Sequence, residues 1–400
     1  MTGGEATLRY GTGEEMDEMD EITSPDALTL DQRRPARRRN VLVLQGGGAL
    51  GSYQAGVYQA LAESGTQLDW VSGVSIGAVN AAIIAGNPPE RRVQRLREFW
   101  QTITETSALW PDLPHESWRA LDRQAAAATA IMFGQPGFFR PRSAVDWMAQ
   151  RQPLSFYDTS ELRTTLEKLV DFEMINRVGR TRLSVGAVNI ETGNMIYFDS
   201  AVQEIKPEHI MASGALPPGL ATVCIDGEYY WDGGLVSNTP LQYVMEYEPR
   251  DHMLIFQIDL FPARGKLPEN MDEVAEREKD IRYSSRTRTG TDSARLRQEL
   301  RNHIDTFLNR LPAELREHTV AKHLREFACP KTVDIVHLIY RPLTPQGAQK
   351  DFQFSRITME RRWKLGHRDA SATLAAAPWK AEAAEGEPVR VFDVLASALR

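Results

Sequence analysis

The first ordered part of the chain alternates unbroken apolar runs with amphipathic stretches. Residues 41–44 read Val-Leu-Val-Leu, which is typical of a short strand that is buried on both faces. After a glycine turn, residues 51–64 place apolar side chains at helical spacing. A second strand is predicted over 68–72 and a second helix over 76–85. This strand–helix–strand–helix order predicts a three-layer α/β/α fold with a mainly parallel central sheet.

The same alternation resumes after an insertion. Apolar positions at helical spacing follow Asp158, and strand-like runs come later at residues 183–189, 195–199, 253–260 and 333–340. The insertion, about residues 105–158, is rich in aromatic residues and prolines. It is either a lid or apolar substrate entry, or a helical addition whose aromatic side chains pack in the core. The sequence leaves both interpretations open.

The two ends of the chain differ in composition from the middle. Residues 1–39 are acidic and then arginine-rich, with five arginines between positions 33 and 39, and are predicted to form a disordered tail. Residues 40–265 carry the α/β pattern. Residues 266–400 are dense in charge and helical in pattern, so we expect an appended, mainly helical region. Its arginines are typical of a solvated face that pairs with acidic residues.

Charge and composition restrict the classes of function. The net charge at pH 7 is −7, which argues against nucleic acid as a partner because nucleic-acid-binding domains are usually basic. The N-terminus lacks the apolar core of a signal peptide, and no run approaches the roughly 20 apolar residues that span a bilayer. Only two cysteines occur, which fits a reducing compartment. We therefore expect a cytoplasmic protein; peripheral contact at the inner membrane and the oligomeric state stay open.

The strongest candidate for chemistry is the turn Gly73-Val74-Ser75-Ile76-Gly77. A serine between a strand and a helix, flanked by glycines, is held in strained backbone with its hydroxyl exposed. The following helix directs the positive end of its dipole toward whatever the serine attacks. This nucleophile elbow predicts that Ser75 carries out acyl transfer, although a lone Gly-x-Ser-x-Gly string also occurs by chance.

A glycine-rich loop, Gly46-Gly47-Gly48, follows the first strand and opens the first helix. Consecutive N–H groups without a Cβ can bind a phosphate or the oxyanion of a carbonyl under attack. The spacing Gly46-x-Gly48-x-x-Gly51 also matches the dinucleotide-binding fingerprint, which needs an acid at the end of the second strand. Asp69 instead begins that strand, and the serine turn occupies its end. The dinucleotide alternative is therefore disfavoured.

A third candidate is Asp232-Gly233-Gly234, which follows the aromatic run 229–231. A carboxylate in such an uncluttered turn can reach a serine hydroxyl, but Asp-Gly is also a strong signal for a type I′ hairpin. The local pattern alone favours the hairpin. A Ser-His-Asp triad would need a histidine, and no motif marks the candidates His209, His318, His323, His337 and His367.

Taken together, these motifs resemble the patatin-like phospholipases, a family of serine lipid acyl hydrolases, in the bacterial form with an appended C-terminal region. The resemblance rests on four ordered motifs: the glycine loop 46–51, the elbow 73–77, the small-residue segment 212–217, and Asp232-Gly233. It covers roughly residues 40 to 242. The sequence departs from the family at Leu50, where many members carry a basic residue.

The resemblance implies a catalytic dyad in place of a triad, with Ser75 as nucleophile and Asp232 as base, supported by Gly233. Chemistry would proceed through an acyl-serine intermediate with no metal and no cofactor. The implied substrate is the acyl ester of a lipid. The implied oxyanion hole consists of the backbone N–H groups of Gly46, Gly47 and Gly48.

Two alternatives stay open beside the lipid acyl hydrolase. The same dyad would serve an intracellular short-chain polyester or thioester hydrolase, or an acyltransferase, which differ only in acceptor and pocket. Outside the enzymes, the alternative is a lipid-binding scaffold that acts through the arginine-rich C-terminal region. The presence of both Ser75 and Asp232 argues against the scaffold.

Overall fold

The computed structural model describes residues 38–104, 116–148, 154–247, 251–383 and 387–399. The predicted tail up to residue 37, and residues 105–115 and 149–153 of the insertion, lie outside the described residues. The strands are β1 (Arg39–Leu44), β2 (Trp70–Val74), β3 (Arg140–Pro141), β4 (Tyr157–Asp158), β5 (Arg182–Asn189), β6 (Met195–Asp199), β7 (Val223–Ile225), β8 (Glu228–Asp232), β9 (Met253–Asp259), β10 (Val333–Ile339) and β11 (Val389–Phe392). The helices are α1 (Ser52–Glu63), α2 (Ile76–Ala85), α3 (Pro89–Thr102), α4 (Glu116–Phe133), α5 (Ala144–Met148), α6 (Ser160–Leu169), α7 (Phe172–Ile175), α8 (Pro207–Ser213), α9 (Leu241–Glu246), α10 (Met271–Arg310), α11 (Ala313–Arg316), α12 (Thr319–Phe327) and α13 (Arg356–Ala376).

Nine of these strands form one mixed sheet, in the order β11-β10-β9-β1-β2-β5-β8-β7, with β6 also pairing with β5. The pairs from β11 through β5 are all parallel. The pairs that join β6, β7 and β8 to the sheet are antiparallel. The predicted mainly parallel sheet is therefore confirmed.

Helices cover both faces of the sheet, and the side chains of β1 are apolar on both faces. Leu42 and Leu44 belong to one core cluster, which includes residues of α1, α2 and α13. Val41 and Val43 belong to a second cluster, which includes residues of α9 and α10. Burying both faces of a parallel sheet in this way requires the continuous apolar runs that the sequence shows. The predicted three-layer α/β/α fold is confirmed.

The residues after 265 contribute to the same sheet and the same core. Strand β10 pairs along the whole of β9, and β11 pairs with β10. Helix α13 packs on α1 and buries Trp363 in the larger core cluster. The sequence predicted only one strand here, because the four-residue run of β11 is too short to stand out. The helical character of the region is confirmed, and its division from the rest at residue 265 stays a prediction.

Helices α1 and α13 approach so closely that Gly366→Ala is expected to destabilise the fold. An added Cβ at Gly366 would lie 2.1 Å from the carbonyl oxygen of Tyr53, and relieving this clash should lower the free energy of unfolding by about 3 kcal/mol. The matched control is Gly290→Ala in α10, where the added Cβ meets no atom within 4 Å; it should stabilise by about 0.5–1 kcal/mol. Urea denaturation distinguishes the two, and equal effects would contradict the close packing.

Candidate active site

Ser75 lies at the sharp turn between β2 and α2. Its backbone has φ 56° and ψ −126°, which is strained for a residue with a side chain and costs about 1–3 kcal/mol. The flanking glycines are required sterically: an added Cβ would lie 2.3 Å from the carbonyl oxygen of Gly77 at Gly73, and 2.4 Å from that of Leu44 at Gly77. The half-buried Ser75 thus has the backbone geometry of a nucleophile elbow.

The segment 212–217 connects the two candidate catalytic residues. The N–H of Ser75 donates to the carbonyl oxygen of Ser213 at 3.1 Å and to its Oγ at 3.0 Å. Two residues further on, the carbonyl oxygen of Ala215 accepts the N–H of Asp232 at 3.0 Å. The small-residue segment therefore ties the elbow to the aspartate strand, a structural role that the sequence did not reveal.

Strand register brings Asp232 to Ser75. Strand β2 pairs with β5 up to Val74, which lies opposite Gly186. Strand β6 pairs with the opposite edge of β5. Strand β8 therefore pairs with the same edge as β2, beginning where β2 ends, and places Asp232 opposite Ala187. The chain turns at Ser75 where β2 ends, and the aspartate occupies the next position along β5.

Asp232 is 2% exposed, and its carboxylate is held by two hydrogen bonds. Oδ1 accepts the N–H of Gly234 at 2.7 Å, and the side chain of Ser75 also hydrogen-bonds to the carboxylate. Burial raises the pKa of Asp232 to about 6, against the opposing effect of these two hydrogen bonds. A carboxylate of this pKa can accept a proton near neutral pH, which an ordinary aspartate does poorly.

The local pattern predicts a hairpin turn at Asp232-Gly233, and this prediction is wrong. Asp232 is followed by a 3-10 turn, Gly233–Leu235, and not by a returning strand. Gly233 lies against the backbone of Gly186, where an added Cβ would come within 2.6 Å of the carbonyl oxygen. The hairpin turn is Asp226-Gly227, which joins β7 to β8 with φ values of 51° and 87°.

The glycine loop lies directly beside Ser75. An added Cβ at Gly46 would be 3.0 Å from the Cβ of Ser75. The N–H of Gly46 donates to the carbonyl oxygen of Asn238 at 3.1 Å, and Nδ2 of Asn238 donates back to the carbonyl of Gly46 at 3.0 Å. The expectation that Gly46 supplies an oxyanion-hole donor is therefore wrong, because its N–H is already used. Asn238, which the sequence analysis missed, is buried and holds this loop in place.

The N–H groups of Gly47 and Gly48 are the remaining donors of the loop. Within the described part of the chain, neither has a recorded acceptor. Gly48 has φ 54° and begins a 3-10 turn that leads into α1. Leu50 lies at the position where many family members carry a basic residue, and its side chain is fully buried in the core.

The competing residues have structural roles elsewhere. Oδ2 of Asp69 accepts the N–H of Asn40 at the opposite end of β1, so it does not face the glycine loop. Nδ1 of His209 accepts the N–H of Lys206, and His367 pairs with Glu63. Within the described residues, no histidine has a recorded hydrogen bond to either candidate catalytic side chain.

The described residues offer neither a cluster of metal-ligating side chains nor a membrane-spanning helix. They contain no group of three or more histidine, cysteine, aspartate or glutamate side chains that could hold a metal ion. No helix among them is both long enough and apolar enough to cross a membrane.

Three arginines of α10 have partners of two kinds. Arg282 pairs with Glu278, and Arg295 pairs with Glu299 at 2.7 Å. Arg277 donates to the carbonyl oxygen of Pro262 at 3.0 Å. The two ion pairs agree with the predicted salt-bridged face, whereas Arg277 instead donates to the backbone.

The α/β/α fold, with a strained elbow serine hydrogen-bonded to a buried aspartate, is the architecture of a serine hydrolase. A family model described as patatin-like phospholipase matches residues 42–245. Since the match covers half of the chain, the protein belongs to the patatin-like phospholipase family. A second model, described as patatin phospholipase, matches residues 281–386.

Two curated proteins are similar to short stretches of this chain. A patatin-like phospholipase domain-containing protein of Caenorhabditis elegans is 42% identical over 59 residues, which is 15% of this chain and 5% of that protein. Lysophospholipase nte1 of Aspergillus terreus is 52% identical over 59 residues, 14% of this chain and 4% of its own. The chain thus spans only a small part of the curated relatives that it matches.

Two solved structures are similar over a longer part of the chain. VipD from Legionella pneumophila has a TM-score of 0.37 and 15% identity, covering 86% of this chain and 67% of its own. Human GIVD cytosolic phospholipase A2 has a TM-score of 0.37 and 12% identity, covering 85% of this chain and 59% of its own.

Proposed function

We propose that the protein is a lipid acyl hydrolase that cleaves acyl esters with a Ser75–Asp232 dyad. The observation that carries this proposal is the hydrogen bond between the elbow hydroxyl and a fully buried carboxylate whose pKa is raised to about 6. Membership in the patatin-like phospholipase family supports a lipid ester as the substrate.

In the proposed reaction, Ser75 Oγ attacks the acyl carbonyl carbon while its proton moves to the Asp232 carboxylate. The carbonyl electron pair moves to oxygen, and the N–H groups of Gly47 and Gly48 stabilise this oxyanion together with the N-terminus of α2. The intermediate then collapses, and the leaving alcohol takes the proton from Asp232. Water attacks the resulting acyl-serine by the same route, with Asp232 again as base.

The activity should depend on pH through the ionisation of Asp232. Because the base must be deprotonated, kcat/KM should rise tenfold per pH unit below about pH 6 and reach a plateau above it. The pH profile of p-nitrophenyl butyrate hydrolysis measures this. If kcat/KM instead reached its plateau near pH 4, burial would not raise the pKa of the catalytic carboxyl.

A substrate series tests the proposed function against its enzymatic alternatives. Rates are compared for phospholipid vesicles, p-nitrophenyl esters of increasing chain length, and acyl thioesters, with and without an acceptor alcohol. A lipid acyl hydrolase should favour long chains and release free fatty acid. A preference for short polyesters or thioesters would instead indicate a polyester or thioester hydrolase. Transfer of the acyl group to the alcohol in place of hydrolysis would indicate an acyltransferase.

We further propose that the protein works in the cytoplasm and contacts the inner membrane peripherally, through an apolar lip on the insertion. The lip is defined by six side chains that are each more than half exposed: Met132, Phe133, Val145, Met148, Leu154 and Phe156. Hydrogen bonds join its segments, since Tyr157 Oη donates to the carbonyl of Ile131 and the N–H of Arg142 donates to the carbonyl of Phe156. Clustered exposed apolar side chains of this kind fit a lipid surface.

The aromatic side chains of the insertion divide into a buried group and an exposed group. Phe138 and Phe139 are buried in the core and pack against Phe354. Phe133 and Trp147, in contrast, are 71% and 41% exposed. Trp110 lies outside the described residues, and the side-chain surroundings of Trp118 are likewise not described.

Replacing two lip residues should weaken membrane binding. The Phe133→Ser/Met148→Ser variant should bind phosphatidylcholine–phosphatidylglycerol liposomes at least about tenfold more weakly, because it removes two apolar side chains from the bilayer. The control is Val178→Ser, a fully exposed apolar position outside the lip. Flotation measures binding, and equal binding by both variants would contradict the lip. Hydrolysis of a soluble short-chain ester should be unchanged in either.

A further inference from the structure

A short segment of the C-terminal region lies directly against the glycine loop. An added Cβ at Gly48 would be 2.4 Å from the carbonyl oxygen of Asp351, so the two backbones are in contact. Asp351 belongs to a 3-10 turn, Lys350–Phe352. The backbone of Gly48 therefore depends on the position of a residue some 300 positions later in the sequence.

A buried cation holds this turn in place. Lys350 is fully buried, and its Nζ contacts Oε1 of Glu276 at 3.2 Å and Oδ1 of Asp280 at 2.5 Å. Both carboxylates lie on one face of α10, four residues apart. A buried ammonium group with two carboxylate partners has little freedom, because any displacement leaves a charge unpaired away from water.

Backbone contacts complete the attachment of the turn. Oε2 of Glu276 accepts the N–H groups of Gln346 and Gly347 at 2.9 Å and 2.8 Å. Nη2 of Arg362 donates to the carbonyl oxygen of Lys350 at 2.9 Å. The carboxylate of Asp351 pairs with Lys279 of α10 at 2.7 Å. The turn is thus fastened to α10 and α13 by the residues that precede Asp351 and by the Asp351 carboxylate itself.

A second contact leads from Lys350 to the neighbouring glycine. An added Cβ at Gly47 would lie 3.2 Å from Cε2 of Phe261. Nζ of Lys350 lies 5.7 Å from the centre of the same ring, and Tyr283 of α10 stacks on it at 4.7 Å. Gly47 and Gly48, whose N–H groups have no acceptor among the described residues, are therefore each backed by a group that Lys350 adjoins: its chain neighbour Asp351 and the Phe261 ring.

We propose that Lys350 is a positioning residue for the oxyanion hole, acting through the Asp351 backbone and the Phe261 ring. The inference rests on the proposed hydrolase function, since it assigns a catalytic purpose to the Gly47 and Gly48 donors. Such donors act only within about 2.7–3.1 Å of the developing oxyanion, so a displaced loop loses most of their effect. The arrangement also assigns a role in the active site to the region beyond residue 265.

The test compares Lys350→Met with Arg390→Met. Arg390 is the cation of another largely buried pair in the same region, with Asp334 on β10, but it does not contact the turn or the glycine loop. Lys350→Met should lower kcat for p-nitrophenyl esters by roughly 10- to 100-fold, with KM changed less than threefold. Arg390→Met, assayed well below its unfolding temperature, should keep kcat within about twofold, since only stability changes.

Two further measurements keep the test decisive. If Lys350→Met does not fold, Asp280→Asn replaces it, because this variant keeps the pair with Glu276 and should lower kcat in the same direction, by a few-fold. Hydrogen exchange of a peptide covering residues 44–52 reports on the loop without any activity, and it should be faster in the Lys350 or Asp280 variant than in Arg390→Met.

The outcomes separate this inference from the function on which it rests. Unchanged exchange at residues 44–52, or a fall in kcat no larger than that of Arg390→Met, would overturn the positioning role while wild-type hydrolysis stands. Wild-type protein with no ester turnover would instead contradict the proposed function, whatever the exchange of the loop.

Discussion

Ser75→Ala and Asp232→Asn should each lower kcat for ester hydrolysis by at least about three orders of magnitude. The alanine removes the attacking oxygen. The asparagine retains an oxygen that can accept the N–H of Gly234, as Asp232 does at 2.7 Å, but it cannot take the proton. The turn should therefore survive in Asp232→Asn while the base is lost. Steady-state assays with p-nitrophenyl butyrate measure both variants.

A matched control addresses the histidine alternative. His367→Gln alters a surface histidine that pairs with Glu63, and it should keep wild-type turnover. If a histidine variant abolished turnover while Asp232→Asn retained it, a triad would replace the dyad. Wild-type rates in both Ser75→Ala and Asp232→Asn would remove the dyad altogether.

The same Asp232→Asn variant should be more stable than the wild type above pH 6. Burial raises the pKa of Asp232 from 3.8 to about 6, so the folded state binds the proton more tightly than the unfolded state. The contribution of Asp232 to the free energy of unfolding therefore falls by about 3 kcal/mol as pH rises from about 4 to 6. Above pH 6 this contribution stays at its low value. Asparagine avoids this cost. Urea denaturation at pH 8 should show the variant to be more stable, and lower stability there would contradict the raised pKa.

The second large effect concerns the region after residue 265, whose removal should prevent folding. Truncation would leave β9 with an unpaired edge in place of β10 and would uncover the face of α1 that packs on α13. Loss of one buried tryptophan such as Trp363 costs about 3–5 kcal/mol, against a total stability of about 5–15 kcal/mol for a domain. Circular dichroism and urea denaturation of residues 1–265 measure the outcome.

Single-residue variants separate this effect from nonspecific damage. Trp363→Ala should lower the free energy of unfolding by about 3–5 kcal/mol, whereas Leu343→Ala, at a position that is 84% exposed, should change it by less than about 0.5 kcal/mol. A truncated chain that folds and hydrolyses esters would show that residues 266–400 form an independent addition.

Local patterns in the sequence were enough to predict the elbow and its supporting fold. The helix over 76–85 matches α2 residue for residue, because an apolar run bounded by a serine turn and a glycine has few other solutions. The second strand was predicted two residues too early, since β2 runs directly into the elbow. Continuous apolar runs likewise indicated the parallel sheet.

Long-range pairing could not be predicted from the same patterns. Nothing local indicates that β8 continues the edge of β5 where β2 ends, so Asp232 was recognised only through the family resemblance. The same limit hid Asn238, which holds Gly46 and removes its N–H from the oxyanion hole. Lys350 looked like one charged residue among many, because its partners lie some 70 positions away.

Labelling with a fluorophosphonate probe tests the central claim most directly. The probe reacts with an activated serine, and peptide mapping identifies the modified residue. We expect modification of Ser75 in the wild type, none in Ser75→Ala, and labelling at least about 100-fold slower in Asp232→Asn, because the hydroxyl then lacks its base. Modification of another serine, or equal rates in the wild type and Asp232→Asn, would contradict the Ser75–Asp232 dyad.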